Sequence, residues 1–246
     1  MNTAARLERS LALAILRGER APGSRLPSVR ALAAERGVTV PTIQRVLDRL
    51  EALELITVTP GSGSVVRDPE RSAGLSLIPL WFEALQDQPD RVARVFGDFL
   101  ALRRLFAIHL AARGQHALRA VAPTLAAQAA VLLDPDLPLA ERAQADLDFT
   151  RAVLEQGGNF AAVAVFNTVE RLVHEVPGVA EALYGDPAAH AAVITAVAGL
   201  LVSGEGPLHL SAGLEETLGA WDAASVARYL GWLTRGPAPP PESAGP

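Results

Sequence analysis

The side chains best suited to specific chemistry in this chain lie between residues 25 and 63, and that chemistry is recognition of nucleic acid. A guanidinium group can bond to phosphate oxygens or to guanine, and hydroxyl and amide groups can contact a phosphate or a base edge. Groups of these types recur at helix starts and in one glycine-containing loop. They are Arg25, Ser28, Arg30, Thr39, Thr42, Gln44, Arg45, Arg49 and Ser62. Their types and spacing predict a surface for double-stranded DNA.

Three helices are expected to position these groups. Apolar residues at helical spacing predict a first helix over residues 4–17. Ser28 is a suitable N-cap for a second helix, which Gly37 ends, and Thr39 is a suitable N-cap for a third helix that runs to Leu53. The short glycine-containing turn between the second and third helices is typical of a helix-turn-helix, whose second helix enters the major groove.

A strand hairpin with a glycine-rich tip is expected next, over residues 55–67. Residues 3–68 as a whole resemble the winged helix-turn-helix domain of the GntR family of bacterial regulators. The resemblance implies that Arg30 contacts a phosphate or a base edge, that Thr42 lies over a phosphate, and that the hairpin tip approaches the minor groove. The matching positions are Gly23-x-Arg25-Leu26-Pro27-Ser28-x-Arg30-x-Leu32-Ala33, Gly37-Val38-Thr39-x-x-Thr42, Leu50-Glu51 and Gly61-x-Gly63.

The sequence departs from the family pattern in the third helix. Val40 and Gln44 stand where the family usually has Arg, and Arg45 stands where it usually has Glu. Because Arg commonly reads guanine and Gln can pair with adenine, we expect an operator unlike the commonest one of the family. The expected DNA contacts are Arg25, Ser28, Arg30, Thr39, Val40, Thr42, Gln44, Arg45, Arg49, Gly61, Ser62 and Gly63.

The charge distribution agrees with this interpretation. Residues 1–70 hold 10 Arg and 8 acidic residues, whereas residues 71–246 hold 12 Arg and 19 acidic residues. Only the first segment carries the positive charge that phosphate attracts. A net charge of +2 is a small electrostatic footprint, so we expect two copies to bind together as a homodimer on a palindromic operator. The alternative is that these arginines are ordinary solvated helix charges.

The length of 246 residues favours two domains, and the fold class expected is mainly α. A winged helix-turn-helix with a small β-hairpin is expected over residues 1–68 and a polar linker over 69–75. An antiparallel helical bundle that binds an effector and dimerises is expected over 76–235, because apolar residues recur there at helical spacing between Gly and Pro breaks. One of these helix breaks is expected at Gly114, and the last two helical segments are expected over 211–219 and 222–234. A Pro-rich, disordered tail is expected over 236–246.

Scattered segments of this second domain resemble the effector domain of the FadR branch of GntR regulators. They are Phe99-Leu-Ala-Leu-Arg103-Arg104 with Leu110-Ala111-Ala112-Arg113, Asp146-x-x-Phe149-Thr150 with Asn159, and His190-x-x-Val193-x-x-Ala196-Val197. Many members of that branch bind a divalent metal with one Asp and three His. Asp146 and His190 match two of these positions, whereas Thr150 and Leu233 stand at the other two. Because two of the four ligands are missing, we expect no bound metal, and we expect no other cofactor.

The loss of two metal-binding histidines predicts a more apolar cavity, and the namesake regulator, which responds to fatty acyl-CoA, also lacks the metal set. An acyl-CoA or other lipid-like effector is therefore expected, with an arginine meeting its carboxylate or phosphate. Three alternatives remain: a packed core in which Asp146 pairs with His190, a metal-assisted organic-acid sensor, and a ligand-independent DNA-binding protein. The expected effector residues are Arg103, Arg104, Asp146, Phe149, Thr150, Asn159, Phe166, His190 and Trp232.

Other functional classes find no support in the sequence. Asp146 and Asp148 are two residues apart on a helix and point to different sides, so they cannot act as an acid–base pair. The sequence has no nucleotide-binding or hydrolase motif, and it has no lysine for the aminotransferase-like branch of the family. No apolar run is long enough to cross a membrane, and the absence of cysteine fits a reducing cytoplasm. We therefore expect a cytoplasmic transcriptional repressor without catalytic residues.

Overall fold

The chain divides into two compact units, residues 1–87 and 88–246, and each is described by itself. The computed structural model describes residues 3–59, 61–203 and 206–236. The first unit holds a helix-turn-helix with a two-stranded wing, and the second unit is helical. The predicted fold class is confirmed. The tip residue Pro60 and the tail after Gly236, which was expected to be disordered, lie outside the described residues.

The first unit packs its helices and hairpin around one apolar core. Its elements are α1 (Thr3–Leu16), α2 (Val29–Arg36), α3 (Val40–Ala52), β1 (Ile56–Thr59), β2 (Gly63–Val66), α4 (Pro69–Ser72), a 3-10 turn (Leu75–Leu77) and α5 (Ile78–Ala84). Ile43, Val46, Leu47 and Leu50 form the inner face of α3 and are almost fully buried. This spacing leaves the opposite face of α3 in solvent.

Local capping groups fix the helix-turn-helix, as the sequence predicts. Ser28 Oγ accepts the backbone N–H of Ala31, and Thr39 Oγ1 accepts that of Thr42, so each side chain closes the start of its helix. Gly37 ends α2 at a φ of 62°, in the left-handed region that favours glycine. These three residues set where α2 ends and where α3 begins.

The hairpin pairs β1 with β2 in antiparallel register, with Ile56 opposite Val66 and Thr59 opposite Gly63. A third segment extends this small sheet, because Arg25 bridges Val65 in antiparallel fashion. The segment before α2 therefore holds the wing, a role that the sequence does not reveal.

The first unit continues past residue 68, the predicted end of the DNA-binding domain. Residues 69–72 of the expected linker form α4, and the hydroxyl of Ser72 donates to the carbonyl of Glu54. Helix α5, which was assigned to the helical bundle, instead packs on α1 of the first unit. Leu77 and Ala84 are buried in the core of that unit, which explains the later boundary.

The second unit consists of helices joined by short loops. They are α6 (Pro89–Ala120), α7 (Ala122–Leu132), α8 (Leu139–Gln156), α9 (Phe160–Glu175), α10 (Val179–Tyr184), α11 (Pro187–Val202) and α12 (Pro207–Arg235). The two longest helices, α6 and α12, pack along each other. A helix break predicted at Gly114 was wrong. A methyl group there would lie 3.1 Å from the carbonyl oxygen of Gln156, so this glycine allows α8 to approach α6 and does not end the helix.

Two helical segments predicted at 211–219 and 222–234 are one continuous helix, α12. No helix among the described residues is long and apolar enough to span a membrane.

Candidate nucleic-acid interface and ligand cavity

The exposed face of α3 carries the side chains predicted to read DNA. Val40, Gln44 and Arg45 are exposed near the start of the helix, whereas Thr42 is half-buried. Arg30 is exposed in the first turn of α2. Gln44 and Arg45 supply amide and guanidinium groups in the part of a recognition helix that contacts base edges.

Arg49 lies on the same helix but is engaged elsewhere. Its Nη1 donates to Glu8 Oε2 on α1 at 2.8 Å. The ion pair occupies one side of the guanidinium and draws it towards α1. Among the exposed arginines of α2 and α3 predicted to contact DNA, Arg30 and Arg45 are therefore better placed than Arg49.

The wing is held in place by two hydrogen bonds between a side chain and the backbone. Arg25 Nη1 donates to the carbonyl oxygen of Ser62 at 2.7 Å, so this arginine is tied to the hairpin tip. Glu51 Oε1 accepts the backbone N–H of Val58, which fastens β1 to the end of α3. Gly61 and Gly63 adopt φ values of 75° and 89°, which side chains rarely tolerate. Ser62 is exposed between them.

A cavity of about 80 Å³ lies inside the second unit, between α6, α8, α11 and α12. Its walls are mainly aliphatic, and four groups give it a polar part: Arg103, Asp146, Thr150 and His190. Phe149 and Trp221 add aromatic surface. Apolar walls with a few convergent polar groups are typical of small-molecule sites. Arg103, Asp146, Phe149, Thr150 and His190, all predicted effector residues, are brought together here.

Asp146 and His190 form a buried polar pair at one side of the cavity. His190 Nε2 lies 3.3 Å from Asp146 Oδ1, and the hydroxyl of Tyr184 donates to Asp146 Oδ2 at 2.9 Å. Burial, reinforced by Asp146, raises the pKa of Tyr184 well above its ordinary value, which keeps this donor protonated. His190 Nδ1 is buried without a hydrogen-bond partner among the described residues. Such an atom is costly to bury unless something satisfies it.

Arg103 and Arg104 meet one carboxylate. Arg103 Nη2 donates to Asp222 Oδ1 at 2.9 Å, and Arg104 Nη1 donates to Asp222 Oδ2. Arg104 also bonds Glu215 through Nε. Burial raises the pKa of Asp222. Arg103 and Arg104 act in the opposite direction and offset only part of this rise. The predicted role of Arg104 in the cavity therefore differs from its place in the structure, where it pairs with α12.

Three further predicted effector residues lie away from the cavity wall. Asn159 caps α9 by accepting the backbone N–H of Ala162. Phe166 lines a much smaller apolar space beside Arg103 and Thr150. Trp232 stacks on Tyr229 and covers Gly178. Trp221, and not Trp232 as predicted, lines the cavity.

Tyr184 and Asp222 belong to the polar groups that bond Asp146 and Arg103 but were not predicted from the sequence. For Asp222, the available signal was two adjacent arginines in an otherwise apolar segment of α6, since buried cations require a counter-charge.

The described residues hold no group of three or more His, Cys, Asp or Glu side chains placed to share a metal ion.

The contact between Trp232 and Gly178 gives a testable consequence. Gly178 has a φ of 83°, and a methyl group there would lie 2.3 Å from Cδ2 of Trp232. We expect Gly178→Ala to lower the free energy of unfolding by about 2 kcal/mol, through backbone strain and overpacking. Urea denaturation followed by circular dichroism measures this change.

The matched control is Gly199→Ala. Gly199 lies within α11 and has open space around it, so the same substitution should leave stability unchanged or raise it by up to about 1 kcal/mol. Equal stability of the two variants would contradict the packing described for Trp232.

Comparisons with known proteins agree with the geometry. Residues 3–66 match the family described as "Bacterial regulatory proteins, gntR family". The chain is 34% identical over 229 residues to the "Uncharacterized HTH-type transcriptional regulator Rv0494" of Mycobacterium tuberculosis, which covers 91% of this chain and 90% of that protein. The "HTH-type transcriptional regulator Mce2R" of the same species is 45% identical over 69 residues, or 28% of this chain and 29% of that one.

A solved structure supports the fold. It is described as "Lar controls the expression of the Listeria monocytogenes agr system and mediates virulence", and it matches with a TM-score of 0.53 at 14% identity, over 92% of this chain and 97% of the other. The homologues are transcriptional regulators and not enzymes. Regulators of the GntR family bind DNA and are generally dimeric. The match along most of a related regulator, together with the N-terminal family pattern, places this chain in the GntR family of transcriptional regulators.

Proposed function

We propose that this chain is a FadR-branch repressor that binds a palindromic operator as a homodimer and releases it when a small-molecule effector enters the cavity of the second unit. The observation that carries the DNA-binding part is the exposed face of α3, which presents Gln44 and Arg45, together with the exposed Arg30 at the start of α2. We infer a dimer because regulators of this family are generally dimeric and because one DNA-binding domain carries only a small positive charge.

The proposed effector is a fatty acyl-CoA or another lipid-like molecule. The aliphatic walls of the cavity suit an alkyl chain, and a long chain requires the helices around this space of about 80 Å³ to move apart. His190 Nδ1 offers an unused hydrogen-bonding atom. Arg103 adds a guanidinium group at the same wall. A ligand that binds one arrangement of the protein better than another shifts the equilibrium between them and so changes DNA affinity.

Two other effector models make different predictions in a thermal-shift screen. A long-chain acyl-CoA should raise the melting temperature by several degrees, whereas free CoA should have little effect. An organic-acid sensor would instead respond to citrate together with a divalent cation. A ligand-independent protein would respond to none of these compounds and would keep the same operator affinity in the presence of each.

The DNA-binding proposal is tested on a duplex selected by the wild-type protein from a random pool. Arg30→Ala and Arg45→Ala should each weaken binding to this duplex by roughly 1–3 kcal/mol, because each removes a charged contact. Gel-shift titrations at fixed salt measure the loss. Loss of a phosphate contact should also reduce the salt slope by about one, whereas loss of a base contact should relax the selected sequence.

Arg171→Ala is the matched control, since Arg171 is exposed on α9 of the second unit and pairs only weakly with Glu175. Its operator affinity should equal that of the wild type. If both Arg30→Ala and Arg45→Ala also bind with wild-type affinity, the proposed placement of α3 in the groove is wrong.

A further inference from the structure

One side of α6 exposes a stripe of residues whose pattern points to a partner. Asp98, Leu102, Leu105, His109 and Arg113 follow one another at intervals of three or four, which places them on one side of the helix. All five are exposed, and Leu105 is 63% exposed. We call these five residues the α6 stripe.

Helix α9 adds apolar surface beside the stripe. Phe106 of α6 lines the same small space as Ala162 and Val165 of α9, so the two helices lie side by side there. Phe160, at the start of α9, is 86% exposed. A group of exposed large apolar side chains on neighbouring helices is typical of an interaction surface.

The order of residues along the stripe is self-complementary. Asp98 and Arg113 are equally far from a point between Leu105 and Phe106, and Leu102 and His109 are centred on the same point. Neither Asp98 nor Arg113 forms an ion pair with another described residue of this chain. In an isologous contact, residue i of one copy meets residue j of the other, and j meets i.

We propose that the α6 stripe is the surface on which a second copy of this chain docks, with the two α6 helices antiparallel about a two-fold axis between Leu105 and Phe106. Leu105 then packs against the partner's Leu105 at the axis. Leu102 meets the partner's His109, and Asp98 pairs with the partner's Arg113 at both ends. This assignment rests on the homodimer of the proposed function and specifies where it forms.

Leu105→Glu tests the centre of the interface, because it removes an apolar contact and sets two like charges face to face. Sedimentation equilibrium of the full chain should show a wild-type dimer, and the variant should have a dimer dissociation constant raised by more than about tenfold. Leu208→Glu is the matched control, since Leu208 is 88% exposed on α12. It should dimerise as the wild type does, and both variants should keep the wild-type circular dichroism spectrum.

A charge-reversal cycle tests the register. Asp98→Arg and Arg113→Asp should each weaken the dimer, and the double variant should restore it, because the pair is rebuilt with opposite polarity. Failure of the double variant to recover affinity would overturn the antiparallel register.

The outcomes also separate this surface from the proposed function. A wild-type protein that stays monomeric at micromolar concentration overturns both the homodimer and this surface. A wild-type dimer that Leu105→Glu leaves intact overturns the surface alone, while gel shifts with the selected duplex still report whether the protein reads DNA as proposed.

Discussion

Replacing Asp222 by Ala is expected to lower the free energy of unfolding by about 3–5 kcal/mol, the cost of breaking a buried ion pair by removing one partner. The side chain of Asp222 is 7% exposed, and those of Arg103 and Arg104 are 15% and 18% exposed. Without the carboxylate, Arg104 keeps Glu215 as a partner, whereas Arg103 loses the carboxylate that it bonds, in a site with little water. The expected loss is large because a largely buried charge is left without its partner.

Urea denaturation of the full chain, followed by circular dichroism, measures this loss. Asp222→Asn keeps the shape of the side chain and removes its charge, so a comparable loss would assign the effect to charge. Asp148→Ala serves as the control, because Asp148 is exposed on α8 and, among the described residues, bonds only Gln144. Its cost should stay within about 0.5 kcal/mol. An equal loss of stability in Asp148→Ala and Asp222→Ala would contradict the stabilising role of the buried ion pairs of Asp222.

The Asp222 site also defines the cavity. Arg103 lines the cavity and bonds Asp222 of α12 at the same time, so its guanidinium is held in one position. The same bond joins α6 to α12, the two longest helices of the unit. The cavity wall and the main helix contact of this unit therefore share one ion-pair network.

The winged domain was predictable from sequence because its determinants are local. Ser28 and Thr39 cap helices by bonds that reach only three residues along the chain, and Gly37 ends a helix through its own backbone angle. The glycines of the wing act in the same way. Motifs of this kind report structure without knowledge of distant contacts.

Features that depend on distant contacts were not predictable. Gly114 reads as a helix break, but α8 packs against it and the helix continues. Arg49 remains a predicted DNA contact, but its ion pair with Glu8 of α1 could not be predicted from the sequence. In both cases the deciding partner lies about forty residues away in sequence.

The two tryptophans of α12 show how a correct residue type can be assigned to a wrong place. Trp232 was expected in the effector site, whereas Trp221 lines the cavity. Eleven residues correspond to three helical turns, so both side chains share one helix face but lie about 16 Å apart along the axis. The sequence therefore indicates that the two tryptophans share one face of α12, whereas the packing of α12 decides which turn of that face lies at the cavity.

Replacing Ala107 by Leu is expected to abolish the response to an effector. Ala107 lies in the wall of the 80 Å³ cavity, so three additional carbon atoms there occupy the space that a ligand needs. Palmitoyl-CoA at about one hundred times its dissociation constant should stabilise the wild type by about 2.7 kcal/mol, and hence raise its melting temperature by several degrees. The variant should show no rise and should keep the wild-type affinity for the selected duplex in the presence and absence of palmitoyl-CoA.

The same substitution outside the cavity provides the control. Ala223 is exposed on α12, and Ala223→Leu should respond to palmitoyl-CoA as the wild type does. Because Ala107→Leu fills existing space, its stability without ligand should fall by less than the 1–3 kcal/mol that overpacking of a filled core costs, which roughly bounds the effect. A variant that folds, binds DNA and retains the full thermal shift would place the acyl-CoA somewhere other than this cavity. A wild type that responds to citrate with a divalent cation, but not to palmitoyl-CoA, would replace the lipid-like effector with an organic acid, and Ala107→Leu should then abolish that response as well.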